Sequence, residues 1–283
     1  MRPVVAIYAQ GAMGAGIAGV LTAHGISVIT ALEGRSPASV QRARAAGMEA
    51  VAFDQLGRSD ILLSILPPGE ALPFARRLAP SLKEVTRKCL YVDCNAVSPG
   101  TLRDIEGVIA GTGTPFADIG IIGLPPGQAA MPRLHAAGAQ LTLLEVLNQY
   151  GLDVRPMTGP PGTASALKMA YAGITKGLIA VASSMILGAS RAGVADALAA
   201  ELRAGEAPLF ASLSRRIVDM TPKAYRWVAE MLEISAFVNA EPGSAEIYRG
   251  AAALYEQLAI DAAGSHERRD ILEGFFSSRE ASR

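Results

Sequence analysis

The sequence has few of the residues that build metal centres and disulfide frameworks. It contains two cysteines and three histidines among 283 residues. Cys89 and Cys94 flank one predicted strand, with no metal-like spacing around them. His24, His135 and His266 show neither metal-ligand nor catalytic-triad spacing. We therefore expect no metal, a mechanism that works without one, and two buried, reduced thiols.

The sequence also lacks an excess of charge of either sign. Lys plus Arg equals Asp plus Glu at 26 each, so no net field attracts a nucleic acid or an anionic membrane surface. The first predicted strand begins at residue 4, which leaves no room for a charged segment and a cleavable apolar segment before it. Together with the reduced thiols, this predicts a cytoplasmic protein with no nucleic-acid or membrane partner.

No apolar run has the length that a membrane span requires. The one candidate, residues 177–189, is bounded by Lys176 and Arg191 and is shorter than the about twenty residues of a typical span. A helix that is apolar on all sides is typical of the interior of something large. We therefore expect this segment to be a helix buried between domains or subunits.

Composition and pattern predict two domains of different class. Half of the residues are hydrophobic and 18% are charged, which is ample for buried cores in a chain of this length. Strand-like and helical stretches alternate in the first half, as in a doubly wound parallel sheet, and long helical patterns take over after residue 160. The predicted strands are 4–8, 26–30, 49–53, 60–66, 89–93, about 106–110, 116–122 and 140–143. The predicted later helices are 163–193, 195–204, 207–219, 221–239, 243–260 and 267–276, followed by a fraying tail at 277–283.

A glycine-rich turn follows the first predicted strand. Residues 9–14 read Ala-Gln-Gly-Ala-Met-Gly, and a helical stretch and a second strand come next. Gly11 lets the backbone approach a pyrophosphate, Gly14 allows close packing of helix on strand, and the helix start favours an anion. Ala9 stands where the usual first glycine eases the turn. An ordinary packing turn is the alternative to a dinucleotide site. The predicted cofactor-binding residues of this turn are Gly11, Ala12, Met13 and Gly14.

The loop after the second predicted strand, residues 30–37, carries signals for both nicotinamide cofactors. Glu33 lies about twenty residues beyond Gly11, which is the spacing of the acid that holds the ribose of NAD. Arg35 and Ser36 place a guanidinium beside a hydroxyl, which suits the 2′-phosphate of NADP. We predict NADP as the cofactor, with NAD as the second possibility; a solvated charged loop is the alternative.

Four segments in the same order as known motifs carry a family resemblance. They are residues 11–14, residues 66–68 (Leu-Pro-Pro), residues 93–99 (Asp-Cys-Asn-Ala-Val-Ser-Pro) and residues 162–168 (Gly-Thr-Ala-Ser-Ala-Leu-Lys). Together they resemble the β-hydroxyacid dehydrogenase family, whose members include 3-hydroxyisobutyrate and 6-phosphogluconate dehydrogenases. The helical half looks like a poorly characterised branch whose C-terminal domain has no assigned substrate. The resemblance implies a Rossmann NAD(P)-binding domain over 1–160, an all-α substrate and dimerisation domain over 161–283, and a homodimer. It also implies cofactor contacts from Leu66, Pro67 and Asn95.

The resemblance assigns the catalytic acid/base role to Lys168. Oxidation of an alcohol needs a group that takes the hydroxyl proton as hydride leaves, and reduction of a carbonyl needs a group that donates it. A free lysine with a pKa near ~10.4 is a poor base at neutral pH, so burial has to lower its pKa. A solvated helix lysine is the alternative reading.

Departures from the family pattern bear on the substrate. The family's glycine four residues before the lysine is Ala164, and the asparagine one turn after it is Ala172. A serine of the loop after strand six is replaced by Ile122, which predicts a substrate that is bulkier or less anionic than a simple 3-hydroxy acid; packing alone is the alternative. The residues left to hold substrate are predicted to be Asn95, Ser98, Gly123, Tyr171, Thr175 and Lys176.

The sequence leaves three functions open. The first is hydride transfer between NADP(H) and an alcohol or carbonyl substrate, a 3-hydroxy acid or a related compound. The second is imine reduction, since imine reductases share the architecture but usually carry another residue in place of Lys168. The third is a non-catalytic NADP(H)-binding sensor, because the departures at four positions erode the standard pattern: Ala9, Ala164, Ala172 and Ile122.

Overall fold

The computed structural model describes residues 2–127, 130–241 and 243–277. The chain forms two compact units, Met1–Met169 and Ala170–Arg283. The predicted tail 277–283 lies outside the described residues from 278 onward. The predicted roles of 1–160 in cofactor binding and of 161–283 in substrate binding and dimerisation stay predictions.

The first unit is built on one eight-stranded sheet. Its order is β3-β2-β1-β4-β5-β6-β7-β8, and among the described strands only the β6–β7 pair is antiparallel. The chain leaves β1 toward β2 on one side and returns to β4 on the other, which is the switch point of a doubly wound sheet. The carboxyl ends of β1, β2, β4, β5 and β6 therefore share one edge. The strands are β1 (Val4–Tyr8), β2 (Ser27–Thr30), β3 (Glu49–Ala50), β4 (Ile61–Ser64), β5 (Leu90–Asp93), β6 (Phe116–Ile122), β7 (Arg133–Gly138) and β8 (Asp153–Pro156).

Helices cover both faces of this sheet. Every residue of β4, β5 and β6 is buried, because strands covered on both faces have no side that contacts water. One core contains Ile17 and Leu21 of α1, and the other contains Phe74 of α3 and Leu102 of α4. The helices of this part are α1 (Ala12–Ala23), α2 (Pro37–Ala45), α3 (Pro68–Glu84), α4 (Pro99–Ala110) and α5 (Leu141–Glu145).

The second unit is helical throughout its described residues. It takes up most of α6 (Thr163–Arg191), whose first turns belong to the first unit. Helices α9 and α10 pack against each other, and Trp227 meets Tyr255 edge to face at 5.2 Å between ring centres. The predicted α/β class with an all-α C-terminal part is confirmed. The remaining helices are α7 (Ala195–Gly205), α8 (Ala207–Met220), α9 (Ala224–Phe237), α10 (Ser244–Ala263) and α11 (Glu267–Ser277).

Two predicted strands are wrong. The segment at about 106–110 lies in α4, where Ser98 caps the helix start and Leu102, Ile105 and Ile109 are buried at helical spacing. The segment 140–143 is the start of α5. The sequence interpretation missed β7 and β8, and only residues 49–50 of the predicted strand 49–53 pair in the sheet. The strand β7 is rich in small residues, so its state is decided by pairing with β6 rather than by its own pattern.

Helix α6 contains the apolar run 177–189 and ends at Arg191, two residues before the predicted end at 193. Among the described helices it is the one whose length and composition would allow a membrane crossing, and 44% of its most apolar window is buried inside the protein. Core helices meet the same criterion, since burial in protein and burial in lipid both select apolar side chains.

Candidate active site

The glycine-rich turn places an uncapped helix start at the carboxyl edge of the sheet. Helix α1 begins at Ala12 with Gly11 as its N-cap, and no side chain of the described residues caps it. A Cβ on Gly14 would lie 2.1 Å from the carbonyl oxygen of Ala9, whereas the space at the Cβ position of Gly11 is open to at least 4 Å. Gly14 thus permits the close helix–strand approach, and Gly11 leaves room above the free N–H groups.

Gln10 stabilises the turn from inside and was missed by the sequence interpretation. Its buried side chain donates hydrogen bonds to the Thr30 hydroxyl and to the carbonyl of Ala31 at 3.0 Å. The Thr30 hydroxyl donates to the carbonyl of Ile7 at 2.7 Å. These bonds join the ends of β1 and β2, so the turn does not depend on the family's first glycine at position 9. No sequence pattern indicates that a glutamine in a glycine-rich turn will link two strands by hydrogen bonds.

The loop after β2 brings the predicted cofactor-selecting residues to the same edge. The guanidinium of Arg35 lies over the Tyr8 ring at 4.2 Å, and its buried Nε has no hydrogen-bond partner among the described residues. Ser36 is the N-cap of α2 and accepts the N–H of Ser39 at 3.3 Å. Glu33 is exposed. The loop therefore holds a guanidinium at the edge of the sheet, as a phosphate site requires.

Asn95 links the loops after β4 and β5. Its amide nitrogen donates to the Ser64 hydroxyl at 3.0 Å and to the Asp93 carboxylate at 2.7 Å, and its amide oxygen accepts the Leu66 N–H. Both amide hydrogens are used inside the protein. The geometry thus makes Asn95 a holder of the Leu66-Pro67 loop, and only its oxygen retains capacity for a ligand.

Ser98 and Gly123 have structural duties in addition to their predicted ones. Ser98 is buried, and its hydroxyl oxygen accepts the Thr101 N–H at 3.2 Å as the N-cap of α4. Gly123 has φ +139°, and a Cβ there would lie 2.9 Å from the Cα of Pro132. A side chain at position 123 is therefore excluded, while Gly123 itself is exposed. Ile122 beside it is buried.

Lys168 lies on the first turns of α6, inside the first unit. Its Nζ donates to the carbonyl of Ile121 at 2.8 Å, near the carboxyl end of β6. Burial lowers the pKa of Lys168 to about 8, because a desolvated ammonium is less stable than a hydrated one. Such an amine exchanges a proton near neutral pH, which the solvated-lysine alternative would not do.

Three predicted substrate residues lie in the second unit. Tyr171 is exposed, and the Thr175 hydroxyl donates to the Tyr171 carbonyl at 2.8 Å. Lys176 forms an ion pair with Glu230, and its Nζ lies 4.8 Å from the centre of the Trp227 ring. The amine of Lys176 is therefore engaged within the helical unit.

Known proteins resemble this chain mainly through the fold. Residues 189–258 match a domain of unknown function, DUF1932, and no curated protein matches the sequence. The conserved protein MTH1747 of unknown function, described as structurally similar to 3-hydroxyacid dehydrogenases, is 27% identical, with 96% of this chain and 99% of that chain covered and a TM-score of 0.71. Mycobacterium tuberculosis 3-hydroxyisobutyrate dehydrogenase is 18% identical, with coverage of 97% and 99% and a TM-score of 0.71. An imine reductase from Myxococcus stipitatus in complex with NADP+ is 19% identical, with coverage of 96% and 99% and a TM-score of 0.53.

The fold shows which class of known structures the chain resembles. A doubly wound sheet followed by helices is shared with the dehydrogenase and the reductase above. The chain is similar in fold to 3-hydroxyacid dehydrogenases, and residues 189–258 of its helical part match DUF1932. The resemblance inferred from the four sequence segments is confirmed.

Proposed function

We propose that this protein is an NAD(P)-dependent oxidoreductase that transfers hydride between NADP(H) and an alcohol or carbonyl compound. The observation that carries the proposal is Lys168, whose Nζ is held by the Ile121 carbonyl and whose pKa is about 8. The glycine-rich turn at residues 11–14 lies in the same unit and at the same edge of the sheet. An acid/base group and a dinucleotide-binding turn are the two parts that such a reaction needs.

The residues of the first unit fit a nicotinamide dinucleotide. The free N–H groups at the start of α1 and the open space at Gly11 suit a pyrophosphate. The guanidinium of Arg35 and the adjacent hydroxyl of Ser36 suit a 2′-phosphate, which favours NADP over NAD. When bound, the cofactor supplies or accepts the hydride. Leu66 and Pro67 complete the proposed contacts in the loop that Asn95 holds.

Lys168 moves the proton in this proposal. With a pKa of about 8, roughly one-tenth of the amine is neutral at pH 7 and roughly nine-tenths at pH 9. The neutral amine accepts the hydroxyl proton during oxidation, and the ammonium donates a proton during reduction. We therefore expect the rate of oxidation to rise, and the rate of reduction to fall, as the pH passes through about 8.

The substrate is proposed to be a 3-hydroxy acid or a related compound that is less anionic or bulkier. Ile122 is buried where the family has a serine, and the amide hydrogens of Asn95 are occupied. Both features reduce the capacity to bind a small carboxylate. Ser98, Gly123, Tyr171, Thr175 and Lys176 stay the predicted substrate residues.

A panel of carbonyl compounds and imines, assayed with NADPH and with NADH, tests the proposal. The Lys168→Met variant is expected to lose a hundredfold or more in kcat on a confirmed carbonyl substrate, the range for general acid–base catalysis, while its NADPH affinity stays unchanged. Lys223→Met is the matched control, because Lys223 lies in the second unit and has no role in the proposed site.

Other outcomes of the same panel separate the alternatives. Equal turnover by Lys168→Met and wild type would refute the role of the amine. Turnover of imines but not of ketones would identify the imine reductase alternative. Binding of NADPH without transfer of its labelled hydrogen to any compound would favour the sensor.

A further inference from the structure

Strand β6 contacts the first turns of α6 through one face. Asp118 and Gly120 are two residues apart in the strand, so the Asp118 side chain and the Cβ position of Gly120 lie on the same side of the sheet. The N–H of Ser165 donates to the Asp118 carboxylate at 2.7 Å. A Cβ on Gly120 would lie 2.5 Å from the carbonyl oxygen of Ala164 and 3.2 Å from the Cβ of Lys168. The two backbones therefore approach each other at a distance that only glycine at position 120 allows.

The same strand also binds the end of the Lys168 side chain. Ile121 accepts the hydrogen bond from Nζ at 2.8 Å, while Ser165, bonded to Asp118, precedes Lys168 by three residues and shares its helix face. Asp118 thus holds the helix start, Gly120 sets its distance from the sheet, and Ile121 receives the amine. Ala164, a departure from the family's glycine, takes part in this contact through its backbone carbonyl.

The buried carboxylate of Asp118 holds the start of α6 at a cost in protein stability. Asp118 is fully buried, and its Oδ1 has no hydrogen-bond partner among the described residues. Burial raises the pKa of Asp118, and the N–H groups of Ser165 and Gly162 only partly oppose this. Because its pKa in the folded state lies above its unfolded value, ionised Asp118 lowers stability at neutral pH. Asp118 accepts this cost on β6 while it binds Ser165, the residue one turn before Lys168, so its place in the fold points to Lys168 rather than to stability.

We propose that Asp118 is a positioning residue for Lys168, acting through the first turn of α6 against the Gly120 surface of β6. This inference rests on the proposed function only for its catalytic consequence, because the position of the lysine can be measured without a substrate. Loss of the Asp118 bond, or a methyl group on Gly120, would displace the first turn of α6 and admit water to the ammonium.

The experiment is a pH titration of the lysines by NMR after reductive methylation with ¹³C-formaldehyde. The chain has five lysines, so the spectrum is simple, and the Lys168 resonance is assigned by its absence in Lys168→Met. In wild type it is expected to titrate near 8. Asp118→Ala and Gly120→Ala are expected to raise this midpoint by one pH unit or more, toward ~10.4, and Asp118→Asn, which keeps an acceptor oxygen, by less. Asp104→Ala, which removes an exposed carboxylate, is the matched control and is expected to change nothing.

Thermal unfolding distinguishes positioning from plain support. Asp118→Asn is expected to unfold at the wild-type temperature or higher, because it removes a desolvated charge. A Lys168 midpoint that stays near 8 in both Asp118→Ala and Gly120→Ala would overturn the proposal. So would a lowered unfolding temperature of Asp118→Asn with an unmoved midpoint, since Asp118 would then be a helix cap only. If Asp118→Ala fails to fold, Asp118→Asn and Gly120→Ala decide.

Failure of this inference and failure of the proposed function are separable. Full activity of Lys168→Met together with a moved midpoint in Gly120→Ala would refute the catalytic role and leave the positioning intact. Loss of activity in Lys168→Met with an unmoved midpoint would do the reverse.

Discussion

At the scale of single residues, Gly14 and Gly19 of α1 differ in the space around their Cβ positions. In α1, a Cβ at Gly14 would overlap the Ala9 carbonyl oxygen at 2.1 Å, whereas a Cβ at Gly19 meets nothing within 4 Å. Glycine at position 14 thus serves the contact of the helix with the turn. Glycine at position 19 only adds conformational freedom to the unfolded chain.

Substitution of each glycine by alanine separates these cases. Gly14→Ala is expected to lower the free energy of unfolding by about 1–3 kcal/mol through overpacking and to weaken NADPH binding. Gly19→Ala is the matched control and is expected to raise stability by about 0.5–1 kcal/mol without changing NADPH affinity. Urea denaturation and fluorescence titration with NADPH measure the two quantities. Equal effects of both substitutions would contradict the close approach at Gly14.

The connection from β2 to α2 acts as a unit at the scale of elements. Arg42 of α2 donates through Nε to the Gln10 carbonyl at 2.8 Å and through a terminal nitrogen to the Ser39 hydroxyl at 3.0 Å. It therefore connects the start of α2, capped by Ser36, to the glycine-rich turn. Arg35, which precedes Ser36 in the chain, lies over the Tyr8 ring. This arrangement holds a guanidinium and a hydroxyl at the edge where NADP is proposed to bind.

Removal of the Arg35 guanidinium tests the cofactor preference. Arg35→Ala is expected to weaken NADPH binding roughly ten- to hundredfold, the equivalent of a lost charge-assisted hydrogen bond of about 1.5–3 kcal/mol. The affinity for NADH should change little. Arg44→Ala, which removes an exposed arginine of α2, is the control. A parallel loss for both cofactors would show that Arg35 does not recognise the 2′-phosphate.

At the scale of the whole molecule, α6 presents an apolar stripe. Tyr171, Ile174, Leu178, Val181 and Met185 are exposed and recur at alternating spacings of three and four residues, which aligns them on one helix face. A stripe of this kind on a surface is typical of an interface. We predict that a second copy of the chain covers it, giving the homodimer that the sequence interpretation expected.

Light scattering tests the dimer. The chain mass is 29.4 kDa, and particles of twice this mass are expected at micromolar concentration. The double variant Ile174→Glu, Met185→Glu is expected to yield the monomer mass, because two carboxylates cannot be desolvated in an apolar interface. Val218→Glu, an equally drastic change on α8, is expected to leave the dimer intact. A wild-type monomer would refute the prediction.

Strands with a clear local sequence pattern were predicted, whereas strands that depend on pairing in the folded protein were missed. The strands β1 and β6 were predicted with correct bounds because continuous apolar runs of their length are typical of buried strands. The strand β7 was missed because it forms by antiparallel pairing with β6, and the sequence of residues 133–138 alone does not indicate this pairing. The apolar residues of α4 suited either state, and the Ser98 cap decided for a helix.

The sequence by itself determined the class of the fold and the position of the glycine-rich turn, and it singled out Lys168 as the predicted catalytic residue. These depend on residue types at short spacing, and short spacing is visible along the chain. Only the tertiary structure decided what holds them: Gln10 on Thr30, Asn95 on Leu66, and Asp118 on Ser165 join positions 20 to 47 residues apart. The low pKa of Lys168 also belongs to the tertiary structure. The physical reason is that desolvation and long-range hydrogen bonds exist only after distant segments have packed together.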